Sequence, residues 1–333
     1  MNNPEFDPAG APAQRPFQFL RGRSGHVLVT GGSGFIGQSL VPALVEQGMR
    51  VSILSRRDRL PSVLRSDRVR AVRQLADIAQ DDAIDAVINL AGARILGQPW
   101  TAARRVELLR SRVGLTQDLV AWLANRSVKP RCLLSASAIG FYGVQPQADD
   151  RPLAEDAPAQ AVFMSRLCDQ WEQAAAAASQ LGVSVACMRF GVVLGQGGAL
   201  PMLLLPVRLG LGGPLGGGNQ WLSWVHIDDL LGALAHAWRT LESSPASGAT
   251  LVYNVTAPGA VRQREFSRIA AAVLHRPNFM PTPGWPMRLL LGEQSDLLLE
   301  GQRVAPARLQ REGFTFRYPQ LQPALEQLTG HKA

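Results

Sequence analysis

Thr30-Gly31-Gly32-Ser33-Gly34-Phe35-Ile36-Gly37 closes the short apolar run His26-Val27-Leu28-Val29-Thr30. It also opens a helical pattern, with Phe35, Ile36, Leu40 and Leu44 at helical spacing and Gly48 as the stop. An apolar run that ends in glycines is what a parallel strand buried on both faces looks like. Strand, glycine loop and helix in that order form a phosphate cradle. Gly31 allows the tight turn, and Gly34 lets backbone N–H groups approach a pyrophosphate at the helix N-terminus. Gly37 allows close packing of helix on sheet. The spacing is G-x-x-G-x-x-G, and no Lys-Ser/Thr follows, which argues against an ATPase.

Strand and helix patterns alternate outward from this loop. Strands are expected at 51–54, 69–72, 86–90, 131–135 and 183–188, and helices at 35–47, 101–123 and 160–181. That alternation is the pattern of a doubly wound parallel sheet in an α/β fold. The pattern changes after Gly191. Residues 210–218 hold six glycines in nine positions, a loop whose place between the two halves suggests a lid. A short strand at 221–225, a helix from Asp228 to Trp238, a strand at 252–255 and a helix at 262–274 follow. The proline-punctuated tail, 280–328, reads as a small C-terminal subdomain of short helices. The expected organisation is a disordered extension at 1–25, a dinucleotide-binding core at 26–190 with room for later segments to return to it, and a smaller α+β substrate-side part at 191–333.

The 333 residues carry 34 basic and 26 acidic side chains, for a net charge of +8. Only Lys129 and Lys332 are lysines, and the arginines are scattered without the stacking aromatics of a nucleic-acid footprint. The expected partner is therefore a small molecule, with no nucleic acid and, for want of a long apolar run, no membrane. The odd set Cys132, Cys168 and Cys187 lacks metal spacing and suits a reducing compartment. No apolar core of a signal peptide precedes His26, so a cytoplasmic address is expected, with no metal.

The second strand ends Leu54-Ser55-Arg56-Arg57. A cofactor with a free ribose 2′-OH would be met there by Asp or Glu. Ser55 with Arg56 and Arg57 suits a 2′-phosphate, which points to NADP(H).

Asn89-Leu90-Ala91-Gly92, Ser135-Ala136-Ser137, Phe141-Tyr142-Gly143 and Val225-His226-Ile227-Asp228-Asp229 join the glycine loop in one resemblance. Together they resemble an extended short-chain dehydrogenase/reductase. More narrowly, the chain resembles the atypical "epimerase family" branch, which is NAD-dependent epimerase/dehydratase-like and carries a C-terminal domain of unknown function. Pro99-Trp100-Thr101, Ser111-Arg112-Val113, Arg189-Phe190-Gly191, Leu209-Gly210-Leu211-Gly212-Gly213-Pro214 and Glu300-Gly301-Gln302-Arg303-Val304 carry the narrower match, over residues 26–328. The resemblance implies a Rossmann-type domain that binds NADP(H) through Gly31, Ser33, Gly34, Phe35, Ile36, Gly37, Ser55, Arg56, Arg57, Leu90, Ala91, Gly92, Arg112, Ser135 and Ala136.

Oxidoreductases of that family use a Tyr-x-x-x-Lys pair, in which Lys lowers the Tyr pKa and Tyr passes a proton. Counted back from Trp171-Glu172, those positions hold Met164 and Cys168, and neither can do that work. Ser137 and Tyr142 are the remaining catalytic candidates. The Arg that holds a diphosphate in nucleotide-sugar epimerases is matched by Leu222, amid Trp221, Ser223 and Trp224, which makes an apolar wall. Arg94, Arg112 and Arg189 are left to meet an anion on the substrate. Two readings stay open: an NADP(H)-linked oxidoreductase or epimerase acting on a small, partly apolar carbonyl or alcohol, and an NADP(H)-binding redox sensor or assembly partner with weak catalysis.

Overall fold

The computed structural model describes residues 16–56, 59–243 and 248–331. β1 (His26–Thr30), α1 (Phe35–Glu46), β2 (Arg50–Leu54), β3 (Val69–Val72) and β4 (Ala86–Asn89) follow one another. α2 (Ala102–Leu109), a π-helical turn (Arg110–Gly114) and α3 (Leu115–Ala124) then lead to β5 (Cys132–Ala138). α4 (Phe163–Ala176) leads to β6 (Ser184–Phe190). The second half holds β7 (Val192–Leu194), α5 (Leu200–Arg208), β8 (Trp221–Leu222), β9 (Trp224–His226), α6 (Ile227–Ser243), β10 (Thr250–Val255), β11 (Val261–Arg262) and α7 (Gln263–Val273). Short helices fill the tail: α8 (Trp285–Leu291), α9 (Asp296–Leu299), α10 (Ala307–Arg311) and α11 (Leu321–Thr329).

Seven parallel strands form one sheet in the order β3-β2-β1-β4-β5-β6-β10. The order reverses between β1 and β4, and such a reversal opens a crevice at the strands' carboxyl ends. Alternate residues serve opposite faces. Val27 and Val29 pack in one cluster with Leu40 and Leu44 of α1 and Leu230 and Leu234 of α6. Leu28 packs with Leu119 and Leu123 of α3 and Ala175 of α4. This is the doubly wound Rossmann-type fold that the strand–helix alternation predicts. β10 and α6 return to the first domain, so the chain beyond residue 190 is only partly a separate unit.

Two local expectations are corrected. Disorder was expected to residue 25, yet Phe17 and Leu20 are buried, and Phe17 meets Trp238 of α6 edge-on with ring centroids 6.1 Å apart. Residues 1–15 lie outside the described residues. The single helix expected at 101–123 is broken by the π-helical turn, which carries the buried Arg112. The glycine-rich loop is also braced. Met280 N–H donates to the Gly212 carbonyl and Thr282 N–H to the Pro214 carbonyl, each at 2.9 Å. These bonds tie the expected lid to the tail.

Candidate functional site

The crevice is built where β1 and β4 end. Gly31 has φ +68°, and a Cβ there would stand 2.7 Å from the Leu90 carbonyl carbon. A Cβ on Gly37 would overlap the Gly32 backbone. Only glycine allows the strand, the loop and the next strand's end to approach this closely. α1 begins at the Gly34 cap with no side-chain cap bond and no acidic residue in its first turn. Its first N–H groups are therefore open to an outside acceptor. The acid-free donor set and the glycine cradle fit a pyrophosphate.

A polar chain fixes the opposite lip. Thr30 Oγ1 donates to Asn89 Oδ1 at 2.6 Å and accepts from Ala91 N–H at 3.3 Å. Asn89 Nδ2 donates to Thr116 Oγ1 at 2.9 Å and Ser135 Oγ at 3.2 Å. The Ser135 hydroxyl is thus held inside the sheet, while Leu90, Ala91 and Gly92 rim the crevice. Ser33 and Phe35 are half-buried on the α1 side, with Ile36 beside them, and Ala136 is buried in β5.

At the end of β2, Ser55 is buried and its N–H donates to the Val72 carbonyl at 2.9 Å. Arg56 is exposed beside it, and Arg57 lies outside the described residues.

The α4 side carries the positions expected for a proton relay. Met164 and Cys168 are both buried one helical turn apart, and a Cβ on Gly140 would touch Met164 at 3.3 Å and Cys168 Sγ at 3.8 Å. Burial, helped by the Glu172 charge, pushes the Cys168 thiol up to about 12, so it carries no charge at neutral pH. Ser137 Oγ donates to Glu172 Oε1 at 2.6 Å, and the Tyr142 hydroxyl donates to Asn254 Oδ1 at 2.6 Å. Tyr142 is only 1% exposed, and burial pushes its phenol pKa up. Both hydroxyls are engaged inside the protein rather than aimed at open space.

Sequence reasoning missed what holds them. Arg189 of β6 forms a two-pronged pair with Glu172 of α4, Nε to Oε1 at 2.8 Å and Nη2 to Oε2 at 2.9 Å. Its Nη1 donates to the Tyr142 hydroxyl at 2.9 Å and to the Glu155 carbonyl at 3.1 Å, and its guanidinium lies 3.4 Å from the Phe141 ring centroid. Burial alone would lower the Arg189 pKa, but the bonds to Glu172 reverse that and raise it. Arg189, expected as a substrate contact, is therefore spoken for. Arg94 is exposed. Arg112 is buried, with Nη2 donating to the Ala93 carbonyl at 2.9 Å and its guanidinium 5.4 Å from the Trp171 ring.

The expected aromatic wall divides. Trp224 is core, donating from Nε1 to the Gly259 carbonyl at 2.8 Å. The Arg262 and Arg303 guanidiniums lie 3.9 and 4.9 Å from the Trp221 ring. Trp100 packs edge-on against Phe163, in one apolar cluster with Phe141, Met164 and Cys168. Asp229 does not cap its own helix. Its carboxylate accepts the Arg317 N–H at 2.7 Å and the Tyr318 N–H at 2.9 Å, clasping the tail. His226 accepts the Asp228 N–H at 3.0 Å and meets Gln327 at 2.9 Å.

Residues 27–256 match the model of the NAD dependent epimerase/dehydratase family. The chain belongs to that family. Residues 282–328 match a domain of unknown function, DUF1731, so the family membership carries the C-terminal extension that the motifs implied. An epimerase family protein of Staphylococcus saprophyticus is 40% identical over 304 residues, 91% of this chain and 99% of that one. The epimerase family protein YfhF of Bacillus subtilis is 36% identical over 305 residues, 91% of this chain and 97% of that one. The crystal structure of human epimerase family protein SDR39U1 with NADPH superposes with TM-score 0.78 at 32% identity, covering 92% of this chain and 99% of that one. Among the described residues, no helix is long and apolar enough to cross a membrane.

Proposed function

We propose that this family member binds NADP(H) and acts as an oxidoreductase or epimerase-like protein on a small, partly apolar carbonyl or alcohol, without a Tyr-x-x-x-Lys pair. The observation that carries the cofactor choice is the end of β2, where Ser55 and Arg56 stand in place of a carboxylate. A carboxylate there would repel a 2′-phosphate, whereas a guanidinium gives it charge-assisted hydrogen bonds. The related human protein crystallised with NADPH supports the same choice. When bound, the nicotinamide supplies hydride exchange with a carbonyl or alcohol carbon.

The chain's own residues do the rest. The N-terminus of α1 holds the pyrophosphate, and Leu90, Ala91 and Gly92 line the crevice beyond it. Trp100, Phe141, Phe163 and Met164 offer an apolar surface and keep water from the reacting end. Ser137 and Tyr142 are the hydroxyls available for a proton, and each would have to give up a buried bond, to Glu172 or Asn254, to deliver it.

That engagement favours a second reading, a weakly catalytic NADP(H)-binding redox sensor or assembly partner. The two are separated by loading the protein with NADPH and following absorbance at 340 nm over a panel of aldehydes and ketones. Turnover supports the first reading. Tight NADPH binding without turnover supports the second, and absence of NADPH binding refutes both.

A further inference from the structure

Three arginines are buried among the described residues: Arg112, Arg126 and Arg189. Arg189 has the Glu172 carboxylate. Arg126 donates to three carbonyls, those of Ala79, Gln80 and Asp82, and feels the charges of Asp81 and Asp82. Arg112 has neither arrangement. At 9% exposure it donates to the Ala93 carbonyl at 2.9 Å and to Ser111 Oγ at a marginal 3.5 Å. The charged or ionisable groups it senses are Cys168 and Arg104, with no carboxylate among them. Burial lowers its pKa to about 10, which leaves it a cation at neutral pH.

A buried guanidinium with no counterion is costly unless an anion meets it. Its place says which anion. The guanidinium lies against Gly92, where a Cβ would come within 2.9 Å of Arg112 Cζ, at the carboxyl end of β4. The pyrophosphate cradle is at β1 and α1, whereas the Arg112 guanidinium lies between Gly92 and α4, 5.4 Å from the ring of Trp171, on the helix that carries Met164 and Cys168 of the apolar cluster. The π-helical turn carries Arg112 there. A guanidinium has five N–H donors in a planar fork that matches a carboxylate.

We propose that Arg112 is the anchor for a carboxylate on the substrate, which makes the substrate a small carbonyl or hydroxy acid with an apolar body. This rests on the NADP(H)-linked reading above and narrows it to a substrate class.

The test is binding to the protein saturated with NADP⁺, where a ketone finds no hydride and only affinity is read. Benzoylformate and pyruvate are each titrated against their methyl esters by calorimetry. The acid of at least one pair should bind about tenfold or more tightly than its ester. Arg112→Met should erase that preference, and Arg112→Lys should keep part of it. Equal affinity of acid and ester in both pairs overturns the proposal, as does failure of both acids to bind. A preference that survives Arg112→Met overturns it too. A loss of NADP⁺ affinity beyond tenfold in that variant assigns Arg112 to the cofactor and also overturns it. If Arg112→Met does not fold, the wild-type pairs and Arg112→Lys decide. The acid–ester pairs are also run on the protein without cofactor. Failure of wild type to bind NADP⁺ then condemns the cofactor reading alone, and the anchor stands or falls on the pairs.

Discussion

Glu172→Gln should destabilise the protein strongly although it changes only one atom of the side chain. Glu172 and Arg189 pair through two bonds at 2.8 and 2.9 Å, with side chains only 10% and 4% exposed. Removing one partner of a buried pair leaves an uncompensated charge and costs about 3–5 kcal/mol. Arg189 would keep Tyr142, the Glu155 carbonyl and the Phe141 ring, so the lower end, about 3 kcal/mol, is expected. At about 1.4 °C per kcal/mol for a chain of 333 residues, Tm should fall by about 4 °C. Replacing both residues by methionine removes the unpaired charge and should cost about 1 kcal/mol or less, since apolar pairs often substitute for buried ion pairs without loss. Urea unfolding and calorimetry of wild type, Glu172→Met, Arg189→Met and the Met/Met double variant complete the cycle, with Glu172→Gln measured beside them. A Glu172→Gln cost under about 1 kcal/mol, or a double variant as unstable as the sum of the singles, would refute a coupled buried pair.

Three further outcomes follow from the site. Gly37→Ala should weaken NADPH binding about tenfold or more, because the added Cβ overlaps the Gly32 backbone and moves the cradle; unchanged affinity in a fluorescence titration would show that α1 does not hold the cofactor. If Ser137 and Tyr142 pass the proton, the double variant Ser137→Ala/Tyr142→Phe should lower any reductase rate by about 10²–10⁴-fold while NADPH affinity holds; a rate left untouched removes both from the chemistry. Cys168, with its pKa pushed by burial to about 12, should resist iodoacetamide at pH 8 in the folded protein and react after unfolding; rapid labelling of the native state, read by peptide mass, would contradict that environment.

The glycine loop between β1 and α1 and the alternation of strand and helix were legible because each depends on residues close together in sequence. The buried ion pair was not. Glu172 and Arg189 are 17 residues apart on a helix and a strand, and Arg189 alone reads as a contact for a substrate anion. Tyr142 and Asn254 are 112 residues apart, so the partner that occupies the Tyr142 hydroxyl exists only once β10 joins the sheet. The π-helical turn at Arg110–Gly114 has no signature in the helical pattern around it, yet it holds the buried Arg112. Asp228 and Asp229 stand at the expected start of a helix, whereas Asp229 serves backbone N–H groups 88 and 89 residues away. The burial of Phe17 was hidden by the prolines and glycines around it, because its ring meets Trp238 of α6, far along the chain.

The most direct test of the cofactor assignment is a pair of calorimetric titrations, NADPH and NADH into wild type and Arg56→Asp. Charge-assisted bonds to a 2′-phosphate are worth about 1–3 kcal/mol. NADPH should therefore bind wild type about tenfold or more tightly than NADH, and Arg56→Asp should remove most of that preference while leaving NADH nearly unchanged. Equal wild-type affinity for the two cofactors, or a preference indifferent to Arg56, would contradict the assignment.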